Sequence, residues 1–306
     1  MKWVKKGLIY KPEGNRDWSK SHAQVPKPIL IDDRLRIYYG TRDEFNRTRT
    51  SFIEVLPDNP KEILHDNDEP IIGLGEPYAF DEYGVMPGCF LKYKDEVIMY
   101  YTGWAKGTDL PYAVRIGMAV SKDGGITFKR TSNEPVIGLN QEKISCSQPF
   151  VVIDKDLWKM WYSSFFDWTS TYNGKKEPVY ELHYAESTDG RSWDLKGRVL
   201  HCEGKAVINP TVWESSGKWS MLYSYRGLTD YRDNNSNSYR IGYAESQSLD
   251  EWGNYSGNPV VDISESGWDS EMTAYPAVYN HKGKFYLLYN GNGFGKSGFG
   301  YAILDE

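Results

Sequence analysis

A proline followed 13 or 14 residues later by a tyrosine recurs five times along the chain: Pro26 and Tyr39, Pro87 and Tyr101, Pro149 and Tyr162, Pro210 and Tyr223, Pro276 and Tyr289. Successive prolines stand 61, 62, 61 and 66 residues apart, so five units of this length fill the 306 residues. Self-similarity at such a period means one supersecondary unit that buries its face only by packing on its neighbours. In the third unit an apolar run, Phe150 to Ile153, meets a polar turn, Asp154 to Asp156, and an alternating aromatic strand, Leu157 to Tyr162. That pattern reads as a hairpin. Third strands follow at Arg115–Ala119, Glu181–Ala185, Arg240–Ala244 and Phe299–Ile303, and turn segments such as Ser121–Phe128 and Ser187–Trp193 lead into a fourth. Four antiparallel strands repeated radially predict an all-β fold, a single five-bladed β-propeller over residues 1–306 with four-stranded blades. The last copy stops after its third strand. The stretch Trp3–Tyr10 resembles the fourth strand Trp193–Leu200, so the N-terminal strand is predicted to close the last blade and remove an open sheet edge.

Composition narrows the partners. A net charge of −6 offers no overall basic surface, which argues against a nucleic-acid ligand. Cys89, Cys146 and Cys202 are odd in number, have no C-x-x-C spacing and occupy different places in their repeats, as expected of reduced thiols. Met1–Lys6 has no apolar signal region and no run of 18 apolar residues occurs, so a cytoplasmic protein without membrane contact is expected unless a signal peptide has been trimmed. The oligomeric state has no sequence signature.

Strand reversal puts the segments before each first strand and after each second strand on one face of the disc. Those segments carry Ser21-His22-Ala23-Gln24, Phe80-Asp81-Glu82, Gln141-Glu142-Lys143, Cys202-Glu203 and Trp268-Asp269-Ser270-Glu271 on the one side, and Arg42-Asp43, Arg47, Trp104, Trp168, Arg226 and Asn292 on the other. Twenty residues before each repeat tyrosine stand Ser19, Asp81, Glu142, Glu203 and Asp269, four acids in five places. Such acids cap turns and brace backbone as readily as they catalyse. The Asp-Gly segment Ser121–Phe128 falls between strands three and four, on the opposite face, and reads as a folding turn.

A funnel of carboxylates, tryptophans and amide or imidazole donors suits a sugar, whose C–H faces stack on rings and whose hydroxyls need polar partners. Glycoside cleavage needs two carboxyl groups, and Asp43, Asp81, Glu82, Asp269 and Glu271 are the candidates. Arg42, Arg47, Arg226 and Arg232 crowd the same face, and if they converge the carbohydrate ligand carries a carboxylate or phosphate.

Five repeats of this kind, with Trp268-Asp269-Ser270 ahead of Pro276-Ala277-Val278 and Arg42-Asp43 after a first-blade strand, resemble the five-bladed propeller glycosidases of glycoside hydrolase families 32, 43 and 130. The motifs Ser21-His22-Ala23-Gln24, Thr41-Arg42-Asp43, Tyr225-Arg226-Gly227, Trp268-Asp269-Ser270-Glu271-Met272 and Asn290-Gly291-Asn292-Gly293-Phe294-Gly295 resemble a group of bacterial proteins encoded beside surface-polysaccharide genes. The chain departs from family 43, whose acids beside the blade prolines are replaced here by Val25, Met86 and Ser147, and it lacks the family 32 nucleophile motif. The Arg42-Asp43 pair resembles part of the second family 32 motif. That resemblance implies Asp43 as stabiliser or base. Glu271, beside an aromatic residue and on the same face, is the expected proton donor, and Asp81 is a further catalytic candidate. His22, Gln24, Arg42, Arg47, Trp104, Trp168, Arg226, Asp269 and Asn292 are the expected substrate contacts. The expected function is therefore a glycoside hydrolase or transglycosylase acting on a bacterial glycan or its precursor. A non-catalytic carbohydrate-binding propeller and a phosphate-dependent phosphorylase are the alternatives. No cofactor and no metal ligand spacing is evident, although the central channel has room for a structural calcium.

Overall fold

The computed structural model describes residues 2–107, 110–138, 145–171, 174–215, 217–253 and 258–305. Glu142, with its neighbours Gln141 and Lys143, lies outside the described residues. The repeats fold as five antiparallel meanders. The first holds β2 (Ser21–Ile31), β3 (Arg34–Arg42), β4 (Thr48–Val55) and the short β5 (Ile63–Asp66). The second holds β6 (Gly84–Tyr93), β7 (Glu96–Lys106), β8 (Tyr112–Ser121) and β9 (Lys129–Arg130). The third runs through β10 (Ser145–Asp154), β11 (Leu157–Ser170), β12 (Lys176–Ser187) and β13 (Asp194–Leu200), and the fourth through β14 (Lys205–Ser215), β15 (Lys218–Gly227) and β16 (Arg240–Ser246). In the last, β17 (Ala274–His281), β18 (Lys284–Asn290) and β19 (Phe299–Leu304) are joined by β1 (Trp3–Tyr10), which pairs antiparallel with β19. The N-terminal strand thus supplies the fourth strand of the last sheet, as the likeness to Trp193–Leu200 predicts. A one-turn helix, α1 (Asn292–Gly295), follows β18. No helix among the described residues is long and apolar enough to cross a membrane.

Apolar clusters join the meanders pairwise. Tyr38 and Phe52 pack on Phe90 and Met99, Tyr100 and Ile98 on Trp158 and Met160, Trp161 and Leu182 on Val212 and Met221, and Leu222 and Ile241 on Leu287 and Ala302. Tyr279, Tyr286 and Leu288 of the last meander then pack on Leu35, Ile37 and Ile53 of the first. Each fully buried large side chain contributes about 1.5–3 kcal/mol, so these interfaces carry most of the stability. The first strands touch in the order β2, β6, β10, β14, β17 and back to β2.

The repeated residues now have physical roles. All five repeat tyrosines are fully buried. A Cβ on Gly117 would sit 2.3 Å from the Tyr101 ring, and one on Gly242 would sit 2.6 Å from Tyr223, so the glycine of the third strand makes room for the tyrosine of the second. Around the prolines, the pairing of every first strand with its neighbour slips: between Gln24 and Lys27, Pro87 and Cys89, Ser147 and Phe150, Ile208 and Thr211, and Ala274 and Ala277. The residue before the proline has positive φ in four of the five, at Val25 (51°), Gln148 (50°), Asn209 (58°) and Tyr275 (56°). A bulge of this kind re-aims side chains, and a non-glycine residue held there costs on the order of 1–3 kcal/mol. Strain repeated around one central point is the first structural sign of where the site lies.

Candidate functional site

Where the first strands begin and the second strands end, a cavity of about 330 Å³ opens between the meanders. Gln24, Met86, Ser147, Gln148, Ile208 and Tyr275 come from the bulged starts of the first strands, and Arg42, Thr102, Trp104 and Phe165 from the ends of the second. The third strands β8 and β12 add Tyr112 and Tyr180, the connection from β15 to β16 adds Tyr231, Arg232 and Tyr239, and α1 adds Phe294. A second compartment of about 230 Å³ shares Arg42, Asn46, Met86, Trp104 and Tyr112 with the first and adds Tyr83 and Lys106. A larger open groove of about 560 Å³ runs past Lys122, Asp123 and Lys129 at the other end of β8. Two of its cations are already paired, Lys122 with Glu96 at 3.5 Å and Arg130 with Asp81 at 2.7 Å, and it draws on two meanders rather than all five.

The central wall is aromatic. Trp104 and Tyr112 stand 4.8 Å apart, Tyr112 and Trp168 5.2 Å, and Phe165 and Tyr180 5.0 Å between ring centroids. Trp168 therefore supports Tyr112 from behind instead of facing the space. Three buried polar atoms at the cavity have no protein partner among the described residues: Trp104 Nε1, Ser147 Oγ and Gln148 Oε1. Two donors and one acceptor left open in this way match a ligand with hydroxyl groups, because buried polar atoms are rarely left unpaired.

Its charge is cationic. Arg42 donates from Nε to Gln24 Oε1 (3.2 Å) and from Nη1 to Asn46 Oδ1 (3.1 Å), both neutral amides. Gln24 is itself fixed by donating to the Phe294 carbonyl at 3.0 Å. Burial and the neighbouring Arg232 charge hold the Arg42 guanidinium below its ordinary range, the mark of a cation without a counter-charge. Arg232 is different. It forks onto Glu177 at 2.7 and 3.2 Å, and Glu177, against the burial that would raise it, is held low by Arg232 and by the Tyr231 hydroxyl. Arg226 is fully buried behind the wall, 3.8 Å above the Tyr231 ring, donating to the Tyr180 hydroxyl (2.9 Å) and to the carbonyls of Pro178 and Gly227. The Tyr180 and Tyr239 hydroxyls meet beside it. Of the three guanidiniums, only Arg232 has a carboxylate partner among the described residues.

The sequence candidates divide accordingly. Gln24, Arg42 and Trp104 line the cavity, and Arg226 backs it. No carboxylate lines either compartment among the described residues. Asp43 is buried in its own loop, accepting from the Phe45 and Arg47 backbone at 3.0 and 2.9 Å and pairing with Arg47 at 2.8 Å and Arg49 at 3.4 Å. Asp81 accepts from the Tyr101 hydroxyl (2.8 Å) and Arg130 (2.7 Å), and Asp269 from the Tyr289 hydroxyl (3.0 Å) and Lys5 (2.7 Å). The twenty-residue column of acids is thus, in these two meanders, a clasp for the repeat tyrosine. In the first meander Ser19 and Thr41 hydroxyls meet at 2.8 Å instead, and Glu203 is exposed. Glu82 accepts from the Tyr78 backbone, and Glu271 is exposed, with its backbone N–H given to Asn292 Oδ1 at 2.8 Å. His22 takes a hydrogen bond with Ser21 at 2.7 Å, and burial, then Arg42 and Lys296, push its imidazole down to about 3. Tyr112, Tyr180, Tyr231, Tyr239, Tyr275 and Gln148 were not singled out by sequence reasoning. The first four lie ahead of the repeated third-strand segments, Tyr112 and Tyr180 on β8 and β12 and Tyr231 and Tyr239 in the connection before β16, and the last two carry a signal only in hindsight, as the residues next to blade prolines.

The channel below holds a lysine. Lys27 Nζ reaches from β2 to Asn209 Oδ1 on β14 at 3.0 Å, spanning meanders that are not neighbours, and burial pulls its ammonium down to about 8. Among the described residues no group of three or more His, Cys, Asp or Glu side chains is placed to hold a metal ion. The expected room for calcium is thus crossed by a cation of the chain's own.

Two proteins of Mycobacterium tuberculosis, the uncharacterized proteins MT1551 (strain CDC 1551 / Oshkosh) and Rv1502 (strain ATCC 25618 / H37Rv), are each 35% identical to the chain over 312 residues, covering all of both sequences. The chain belongs to their family. No family model matches it. Solved structures with a similar fold include a glycoside hydrolase (TM-score 0.74, 17% identity, 98% of this chain and 90% of that one) and a thermostable family-43 glycoside hydrolase (0.64, 18%, 92% and 88%). A structure described with the GH130 family of mannoside phosphorylases and glycoside hydrolases matches at 0.72 with 12% identity over 99% of this chain and 93% of that one. The fold of the MT1551 and Rv1502 family is therefore that of the GH43- and GH130-type glycosidases.

Proposed function

We propose that the chain is a carbohydrate-active protein of glycosidase type, a single closed five-bladed propeller that takes an anionic saccharide in its central cavity. The observation that carries this reading is Arg42, a largely buried guanidinium oriented by two neutral amides in a cavity walled by Trp104, Tyr112 and Tyr180. Rings supply stacking faces for a sugar, Ser147, Gln148 and Trp104 supply open hydrogen-bonding atoms, and the uncompensated charge asks for an anion. The ring-order contacts of the first strands and the pairing of β1 with β19 support the closed five-bladed form. The likeness to glycoside hydrolases supports the substrate class.

Hydrolysis by paired carboxylates is the weaker form of this reading, because Asp43, Asp81 and Asp269 are spent on ion pairs away from the cavity. Phosphorolysis is a second reading, favoured by the same arginines, since inorganic phosphate then replaces one of the two carboxylates. Calorimetric titration with neutral hexosides, hexuronic acids and hexose phosphates tests the binding claim: anionic sugars should bind and neutral ones bind more weakly. Equal affinity for neutral and anionic forms would contradict it. Turnover that requires added phosphate would select the second reading.

A further inference from the structure

The position of the free charge says more than its sign. Arg42 is not at the end of a cavity. It stands with Asn46, Met86, Trp104 and Tyr112 on the boundary shared by both compartments. Its Nε and Nη1 are used to hold it in place, and Nη2 has no protein partner among the described residues. The smaller compartment has a second cation, Lys106, exposed and 4.3 Å above the Tyr83 ring, with no carboxylate partner among the described residues. A ligand filling both compartments therefore meets its cation in the middle.

We propose that the double cavity binds a sugar joined through phosphate to a second group, with the sugar ring in the larger compartment, the phosphate on Arg42 and the esterified group beside Lys106. This rests on the carbohydrate reading above. The chemistry of the two common sugar anions decides between them. A uronate carboxylate hangs from one ring and leaves the bond between units uncharged, so it places charge inside one compartment. A phosphodiester is itself the link and puts its charge between the two units it joins. Phosphate also presents two anionic oxygens to one guanidinium edge and an ammonium together. The aromatic lining of the larger side, with Tyr112, Tyr180 and the Ser147 Oγ and Gln148 Oε1 atoms that lack a partner among the described residues, fits a hydroxylated ring.

The test is titration calorimetry with four forms of each of several common hexoses: the methyl glycoside, the uronic acid, the 1-phosphate and the methyl phosphodiester of the 1-phosphate. For a hexose that binds, the phosphodiester should bind at least about tenfold more tightly than both the glycoside and the uronic acid. Arg42→Gln should erase that preference, and Lys106→Gln, at an exposed side chain, should reduce it without changing the melting temperature. If the uronic acid binds as tightly as the diester, or if the preference survives both substitutions, the proposal fails. It also fails if inorganic phosphate and the methyl glycoside bind together as tightly as the diester, because the phosphate is then a separate molecule. Binding of neutral glycosides with no gain from the diester overturns this inference alone. No binding of any form overturns the carbohydrate reading with it.

Discussion

Replacing Asp81 with alanine should weaken the fold and leave the ligand in place. Asp81 is buried, and one carboxylate oxygen, Oδ2, receives both the Tyr101 hydroxyl at 2.8 Å and Arg130 Nε at 2.7 Å. Removing it strands a fully buried hydroxyl and a guanidinium whose side chain is 20% exposed. Breaking a buried pair by deleting one partner costs about 3–5 kcal/mol. Arg130 keeps its bond to the Gly73 carbonyl and some access to water, which argues for the lower end of that range. At roughly 2 °C per kcal/mol for a chain of this size, the melting temperature should fall by ~6–8 °C. Asp81→Asn keeps the shape and loses only the charge, so about half that loss is expected. Differential scanning calorimetry reads both, and saccharide titration of the same samples should give wild-type affinity. The reasoning is refuted if either variant melts like the wild type while binding or turnover is lost, because Asp81 would then be serving the ligand.

Three other perturbations separate structural from functional groups. His22 stays neutral in the folded chain down to about 3 but protonates near its ordinary 6.5 once unfolded, so stability is full above that value and is lost as the pH falls toward 3. His22→Gln should flatten this acid limb in melting curves recorded from neutral pH downward; an unchanged limb would show that other groups set it. Lys27 behaves oppositely in range: between about 8 and the ordinary 10.5 the unfolded chain holds a proton that the folded chain has released. Wild-type stability should therefore rise through that window relative to Lys27→Met, and parallel curves would mean that the ammonium is not desolvated. Asp123, pulled down to about 2 because hydrogen bonds from Ser121 and Thr127 outweigh its desolvation, closes the turn after β8. Asp123→Ala should cost on the order of 1–2 kcal/mol and nothing in saccharide affinity, and a loss of affinity would place the ligand on that face instead.

The fold was legible because its rules are local and repeated. Proline, alternating aromatics and the buried tyrosine recur in each unit, a glycine faces that tyrosine in three of the five (Gly117, Gly242 and Gly300), and the unmatched ends of the chain pointed to the pairing of β1 with β19. The face that holds the cavity followed from strand reversal alone. The individual site residues were harder, for two reasons. An acid twenty residues before a tyrosine looks alike whether it serves a sugar or the tyrosine, and only the hydrogen bonds of Asp81 and Asp269 distinguish them. The cavity is also completed by Tyr112, Tyr180, Tyr231 and Tyr239, which stand ahead of the repeated third-strand segments where the repeat is silent; Tyr180, Tyr231 and Tyr239 are packed around Arg226, and Tyr112 between Trp104 and Trp168. Gln24 and Arg42 were legible as residues, but their role depends on which carboxylates are absent from their surroundings, and no motif records an absence.

The most direct measurement is a crystal structure of the chain soaked with the anionic saccharide that binds best in titration. Density for the sugar ring against Trp104 and Tyr112, with its charged group on Arg42, is the predicted result. A sugar bound at the groove beside Asp123, or one in the central cavity with its charge turned away from Arg42, would contradict the account.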